Sequence, residues 1–513
     1  MKKLWRVVFS RTMFFGLMAL MQIGLFFVLM FEFRKLGSLA YIFFTVIAVL
    51  VIIVVSEKDS INPAYKLSWI LLVVAFPFSG VLFYLLFGGR GLNKKRSEQF
   101  SKIEQNVADA MKGTCEVTAP LEKEDLSFAR CTRYLQNTAS APLYPNTESE
   151  YFAWGEQFFE RLKQELVKAK KYIFMEYFII ENDSEMWNET LAILIKKANE
   201  GVDVRIIFDS FGCIATLPDR YEEVLERSGI KCEIFNPLRF TFHISDYTML
   251  NHRDHRKITV IDGEVGFTGG VNFADEYINR LVRFGKWKDT ALMIKGPGVF
   301  SLSVTFLKMW DFISGNETKY REYMPITSYN ADGYVQPYCD SPIDDETVSE
   351  NAYLNIIQRA QRYVTIATPY LVIDHEMLTA LCLAAKSGVE VSIITPGIPD
   401  KWYVFYVTQS YYPELLKAGV KIFEYKPGFI HAKMYASDDE VAVVGSANMD
   451  YRSLYLHFEN CCAFYGGHMP RDVRDDLNET IAQSREVSLA DVKKTPFYKR
   501  LMQIILRFIA PLM

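Results

Sequence analysis

What most constrains the fold of this chain is that one unusual pattern occurs twice, 176 residues apart and without a gap. His255-Arg256-Lys257 leads to Asp262 and then to Gly269-Gly270-Val271-Asn272; His431-Ala432-Lys433 leads to Asp438 and then to Gly445-Ser446-Ala447-Asn448. With seven His, 57 Lys plus Arg and 61 Asp plus Glu in 513 residues, chance supplies about 0.1 matches to H-x-K-x4-D alone. The repeat extends further, because Ala169-Lys170-Lys171-Tyr172-Ile173 and Gly201–Ile207 return as Ala360-Gln361-Arg362-Tyr363-Val364 and Gly388–Ile394. The chain is therefore built of two equivalent halves.

Within each half, apolar runs such as Tyr172–Ile180 and Val364–Val372 have strand length and composition, and Glu185–Asn199 and Glu376–Lys386 carry apolar positions at helical spacing. Strand, helix, strand and motif strand predict an α/β fold: a duplicated two-lobed domain, each lobe a mixed sheet flanked by helices. On an extended segment, H-x-K sets both side chains on one face. Two such faces can meet where the halves pack.

Two histidines, one per half, suit phosphoryl transfer through a covalent intermediate. One imidazole attacks phosphorus, the other protonates the departing alcohol, and the roles reverse for the second acceptor. Charge growing on the phosphate oxygens calls for cations and amides; Lys257, Lys433, Asn272 and Asn448 are the candidates. A nucleophilic imidazole needs its second nitrogen held by a carboxylate. Asp289 and Glu459, 34 and 28 residues after the His of their own half, are the candidates for that task.

The paired motifs and their continuations, Gly269 to Tyr277 and Gly445 to Ser453, resemble the phospholipase D superfamily, and within it the bacterial cardiolipin synthases. The resemblance covers nearly the whole chain, including Trp287-Lys288-Asp289-Thr290, Phe458-Glu459, Asn62-Pro63, Phe87-Gly88 and the closing Pro511-Leu512-Met513. It implies transfer of a phosphatidyl group from one phosphatidylglycerol to the glycerol hydroxyl of another, without cofactor or metal, and it makes His255 the nucleophile and His431 the acid. It also implies that Asp262 and Asp438 hold backbone rather than phosphate. From the residues alone, water or a different alcohol could resolve the same intermediate, giving a phospholipase or another phosphatidyltransferase.

Other residues have structural readings. Gly269, Gly270 and Gly445 permit close backbone approach, and Ser446 either donates to phosphate or stabilises a turn. His252 is expected at the surface or behind the site, and His243, His375, His457 and His468 match no duplicated position. Glu176, a carboxylate inside an apolar strand, calls for an ion-pair partner. Eight Cys without C-x-x-C spacing read as reduced packing residues.

Half of the residues are apolar, and the excess lies at the front, where about 13–31, 36–55 and 68–87 are charge-free runs long enough for transmembrane helices. The first has no cleavage site and reads as an uncleaved anchor. Three spans would leave six Lys or Arg on each side; two spans with an interfacial first segment put both basic ends, and the catalytic domain, on the cytoplasmic face of a bacterial cell membrane. The expected organisation is a membrane region 1–92, a polar linker 93–127 with room for one helix, a first half 128–315, a connection 316–347, a second half 348–490 and a basic amphipathic segment 491–513. A net charge of −4 argues against a nucleic-acid surface. The expected partners are phosphatidylglycerol and the bilayer. Both motifs lie in one chain, so a monomer suffices for catalysis, with an oligomer left open.

Overall fold

The computed structural model describes residues 20, 21, 24, 34–57, 62–89, 92, 94–114, 126–237, 248–344 and 346–512. In the first half the strands are β1 (Glu148–Phe152), β2 (Tyr172–Tyr177), β3 (Asp203–Asp209), β4 (Lys231–Phe235), β5 (Arg253–Asp254), β6 (Lys257–Ile261), β7 (Val265–Gly269) and β8 (Ala291–Lys295). All but β5 form one sheet in the order β1-β8-β7-β6-β2-β3-β4. The second half has β9 (Tyr334–Asp340), β10 (Tyr363–Ala367), β11 (Leu371–Val372), β12 (Glu390–Pro396), β13 (Lys421–Tyr425), β14 (Met434–Ser437), β15 (Val441–Gly445), β16 (Met449–Asp450), β17 (His457–Tyr465) and β18 (Ser484–Glu486). Its main sheet runs β9-β17-β15-β14-β10-β12-β13-β18, the same order with one strand added.

The sequence pattern explains this layout. Strands β2, β3 and β4 pair in parallel across helices Glu185–Asn199 and Tyr221–Arg227, and are covered on both faces, which is why β2 reads as a nearly unbroken apolar run. Glu176 is fully buried there and meets the Arg256 guanidinium at 2.7 Å. At the tip of each motif hairpin, Asp262 and Asp438 take positive φ, +55° and +57°. Their carboxylates accept from the backbone N–H groups of Lys170, Lys171 and Tyr172, and of Gln361, Arg362 and Tyr363, at 2.6–3.0 Å. Each motif Asp thus clamps the strand beside it.

Three expectations about organisation are corrected. The one helix expected in 93–127 is Lys94–Met111, and it belongs to the core rather than to a linker, burying Phe100, Ile103, Val107 and Met111 against the long helix Val299–Ser314, each such side chain contributing about 1.5–3 kcal/mol. The connection 316–347 contains β9, the counterpart of β1, so the second repeat starts at Tyr334 rather than 348. Pro337 disguises that strand, and β9 tolerates it because β17 is its only strand partner among the described residues.

The third correction concerns the apolar runs. Most of 13–31 lies outside the described residues; 36–55 lies in helix Arg34–Glu57. The run 68–87 is not one segment. Helix Pro63–Ala75 stops at Phe76 (φ −137°, ψ 76°), and a new helix, Pro77–Phe87, begins. Pro77 lacks an N–H and bars helical geometry at the residue before it. The two helices fold back as a hairpin, with the Trp69 ring 5.6 Å from Phe83 and 5.3 Å from Tyr84. Asn62 caps the first helix through Ala64 N–H and donates to Asp374 Oδ2 and Tyr455 Oη at 2.9 Å, tying the hairpin to the second half. Among the described residues no helix is long and apolar enough to cross a membrane.

Candidate active site

Two short backbone crossings assemble the site. Strand β5 leaves its own sheet and pairs in parallel with β17, Arg253 opposite His457 and Asp254 opposite Phe458, and His255 N–H then donates to the Phe458 carbonyl at 2.9 Å. On the other side Lys288 bridges in parallel to Ile430, and His431 N–H donates to the Lys288 carbonyl at 2.7 Å. Each histidine segment therefore runs along the carboxylate strand of the opposite half.

The consequence is that the orienting carboxylates are exchanged. His255 Nδ1 meets Glu459 at 2.9 and 3.0 Å, and His431 Nδ1 meets Asp289 Oδ2 at 2.6 Å. The expectation that each carboxylate serves the His of its own half is corrected. Both carboxylates are fully buried and both rings nearly so. A carboxylate on Nδ1 fixes the tautomer that leaves Nε2 free to act on substrate.

The two dyads differ in how they are held. Ser446 Oγ donates to Glu459 Oε2 at 2.5 Å and Ser453 Oγ to Oε1 at 2.7 Å. Ser446 therefore serves the carboxylate instead of standing ready for phosphate. At the equivalent place in the first half, a Cβ on Gly270 would lie 2.1 Å from Asp289 Oδ1, so the shorter acid needs the glycine. Gly269 and Gly445 are sterically closed in the same way, with Cβ positions 2.5 Å from Ala291 Cα and 2.4 Å from Cys461 Sγ. Asn272 is committed to the fold: its Oδ1 accepts from Ile179 N–H at 3.1 Å and its Nδ2 donates to Tyr277 Oη at 2.8 Å. Asn448 is buried with an Oδ1 that lacks a hydrogen-bond partner.

Both lysines lie beside the histidines. Lys257 Nζ donates to the carbonyl of His255; Lys433 Nζ donates to that of His431 and sits 3.0 Å from His431 Nε2. Burial, with Lys257 and Lys433 close by, holds His255 well below the usual imidazole range, and burial and Lys433 bring His431 down to about 4. Burial likewise brings the ammonium of Lys257 down to about 7 and that of Lys433 to about 8. Burial would raise Asp289, but His431 and Lys433 outweigh it and keep the carboxyl low. Two buried lysines beside two neutral imidazoles thus favour the binding of an anion.

A phosphate analogue such as tungstate should therefore take up protons on binding. At pH 8, Lys257 and much of Lys433 start neutral, and the entering anion raises both pKa values. Calorimetry in buffers of different ionisation enthalpy should show net uptake, and zero uptake or release would contradict these shifts.

Some site residues were not singled out from the sequence. Ser453 stands five residues after Asn448 as Tyr277 stands five after Asn272, and His457 stands two before Glu459 as Trp287 stands two before Asp289. Laying the two copies over each other at these offsets picks all four out, and corrects the expectation that His457 has no duplicated position: it stands where the first half has Trp287. Tyr277 and Trp287 place their rings 5.4 and 5.6 Å from His431, while Phe178 and His457 lie 5.0 and 5.5 Å from His255. His252 is fully buried rather than exposed, and His243 lies outside the described residues.

His255, His457 and Glu459 have ligand atoms within 4.8 Å of one another. The fit to a cation is poor, because Glu459 already accepts from His255, Ser446 and Ser453, and His457 Nε2 accepts from Arg452 Nε at 3.3 Å. Burial pushes His457 down to about 3 and keeps it neutral, the form that accepts from Arg452.

The chain is similar to known proteins along most of its length. The family model described as cardiolipin synthase, PLD-like domain, covers residues 162–309 and 353–481, and one described as phospholipase D-nuclease N-terminal covers 43–89. A Streptococcus mutans protein of uncharacterized function is 42% identical over 463 residues, spanning 89% of this chain and 98% of that one. The cardiolipin synthase of Geobacillus thermodenitrificans is 35% identical over 485 residues, 93% and 95% of the two chains. Among solved structures, phosphatidylserine synthase of Haemophilus influenzae shares the fold, with a TM-score of 0.56 at 15% identity over 75% of this chain and 97% of that one.

Proposed function

The chain belongs to the cardiolipin synthase, PLD-like family, and on that premise we propose that it joins two phosphatidylglycerol molecules into cardiolipin and glycerol. The observation that carries this reading is the pair of exchanged His–carboxylate dyads facing two lysines in one buried site. His255 Nε2 attacks the phosphorus of the first lipid; the entering phosphate anion raises the pKa of His431, whose Nε2 takes a proton from solvent and hands it to the departing glycerol oxygen. The terminal hydroxyl of the second lipid then attacks the phosphatidyl-histidine, gives its proton to His431 and releases His255. Lys257 and Lys433, whose charged forms the bound phosphate favours, take protons from solvent and neutralise the equatorial oxygens.

Glu459 and Asp289 orient the two rings, and Ser446 and Ser453 hold Glu459. Asn448 turns its free acceptor toward a substrate hydroxyl, while Asn272 acts by placing Tyr277 beside His431. The charge-free runs 13–31 and 36–55 support attachment to the cell membrane, with the catalytic halves on the cytoplasmic face.

Mass spectrometry of products from purified protein and phosphatidylglycerol alone tests the reading. Cardiolipin with equimolar glycerol supports it, and phosphatidic acid instead would make the protein a hydrolase. Because both rings serve as proton and phosphoryl carriers, EDTA should leave the rate unchanged. Loss of activity restored by one particular divalent ion would contradict the metal-free mechanism.

A further inference from the structure

Helix Phe497–Ile509 is docked on the protein with its amphipathicity reversed. Lys499, Gln503, Leu506, Arg507 and Ala510, which recur at helical spacing, face inward. Lys499 Nζ lies 4.7 Å over the Tyr406 ring and the Arg507 guanidinium 4.1 Å over Tyr411, both on helix Trp402–Ala418. The outward face is Phe497, Leu501, Ile504, Ile505 and Phe508, with Phe497 80% and Ile504 67% exposed. A helix meant for water turns the other way, and an outward apolar stripe marks a contact surface.

Three further observations identify the occupant as a lipid bilayer. The helix is joined to the apolar amino-terminal hairpin, since Ser68 Oγ donates to the Phe508 carbonyl at 3.1 Å and Leu512 packs in the hairpin's core. That hairpin exposes Leu67, Leu71 and Val74 along one face. Exposed Lys493, Lys494 and Arg500 flank the stripe where anionic head groups would lie.

The same surface reaches the active site. The His431 ring lies 6.0 Å from Phe429 and Phe429 6.4 Å from Tyr370, and Tyr370 Oη donates to Asp400 Oδ2 at 2.6 Å, two residues before the exposed Trp402 and Tyr403. We propose that helix Phe497–Ile509 lies in the interface of a phospholipid bilayer, apolar face down, and seats the His431 side of the active site at Trp402–Tyr403 against its lipid substrates. This rests on the lipid-transfer reading above and adds to it the surface through which lipids enter.

Two readouts separate failure of this proposal from failure of that reading. In the first, an Ile504→Cys variant carries an environment-sensitive fluorophore, the seven described native cysteines being buried or half-buried. Reconstituted in vesicles of phosphatidylglycerol and phosphatidylcholine, the probe should be quenched by lipids brominated in the acyl chain. An unquenched probe overturns the docking whatever the activity. In the second, a full-length Leu501→Asp/Ile504→Asp variant should make cardiolipin on long-chain bilayers about ten-fold more slowly, with unchanged turnover of monomeric short-chain phosphatidylglycerol. Equal loss on both substrates, no loss on either, or conversion of a wild-type dimer to a monomer would overturn the proposal, the last by making the stripe an interface between copies. Wild-type protein that makes no cardiolipin from either substrate would refute the lipid-transfer reading and leave the quenching result to decide the docking.

Discussion

Replacing either His255 or His431 with Asn should abolish cardiolipin formation, a fall of at least ~10⁴ in kcat/KM. Each ring is buried and hydrogen-bonded to a carboxylate of the opposite half. The double variant should be no worse than either single one, because the two residues act in the same sequence of bonds. Folding must be checked by thermal melting, since removing a ring leaves a buried carboxylate short of a partner at a cost of about 1–3 kcal/mol. A phosphatidyl ester of p-nitrophenol separates the roles, because p-nitrophenolate leaves without a proton. His431→Asn should still release a burst of p-nitrophenol and His255→Asn should not. A burst from both variants, or turnover by either near the wild-type rate, would refute a mechanism with one nucleophile and one acid.

The duplicated motif made the fold class and the two His–Lys pairs legible before any coordinates, because a repeat that keeps its spacing forces equivalent strands in both halves. It did not reveal which carboxylate serves which ring. Sequence distance ties Asp289 to His255 and Glu459 to His431, yet strand β5, two residues long, switches sheets and exchanges the partners. That switch carries no periodic signal. The packing of helix Lys94–Met111 on the core was hidden for another reason: its apolar positions are sparse within a charged run, and the stripe Phe100, Ile103, Val107 and Met111 carries the contact. The break at Pro77 was in plain view, but hydropathy averaged over a window does not register a missing N–H.

The exchange of partners has its own kinetic signature. Glu459→Gln and Asp289→Asn keep shape while offering an N–H where the ring needs an acceptor, so each should stabilise the wrong tautomer and lower kcat by about 10²–10⁴. Ser446 and Ser453 hold the Glu459 side chain in place, so Gln would keep its position and the loss would report on the tautomer, not on packing. With p-nitrophenol as leaving group the two variants should part. If Glu459 orients the nucleophile His255, Glu459→Gln stays slow in the burst, because attack on phosphorus is still impaired. Asp289→Asn, which disables only the proton donor His431, should recover most of its burst rate. Pairing within each half would give the opposite pattern, with Asp289→Asn slow and Glu459→Gln rescued. Should His431 prove to be the nucleophile, both patterns invert together, so the carboxylate that follows each histidine identifies its partner whichever ring attacks first.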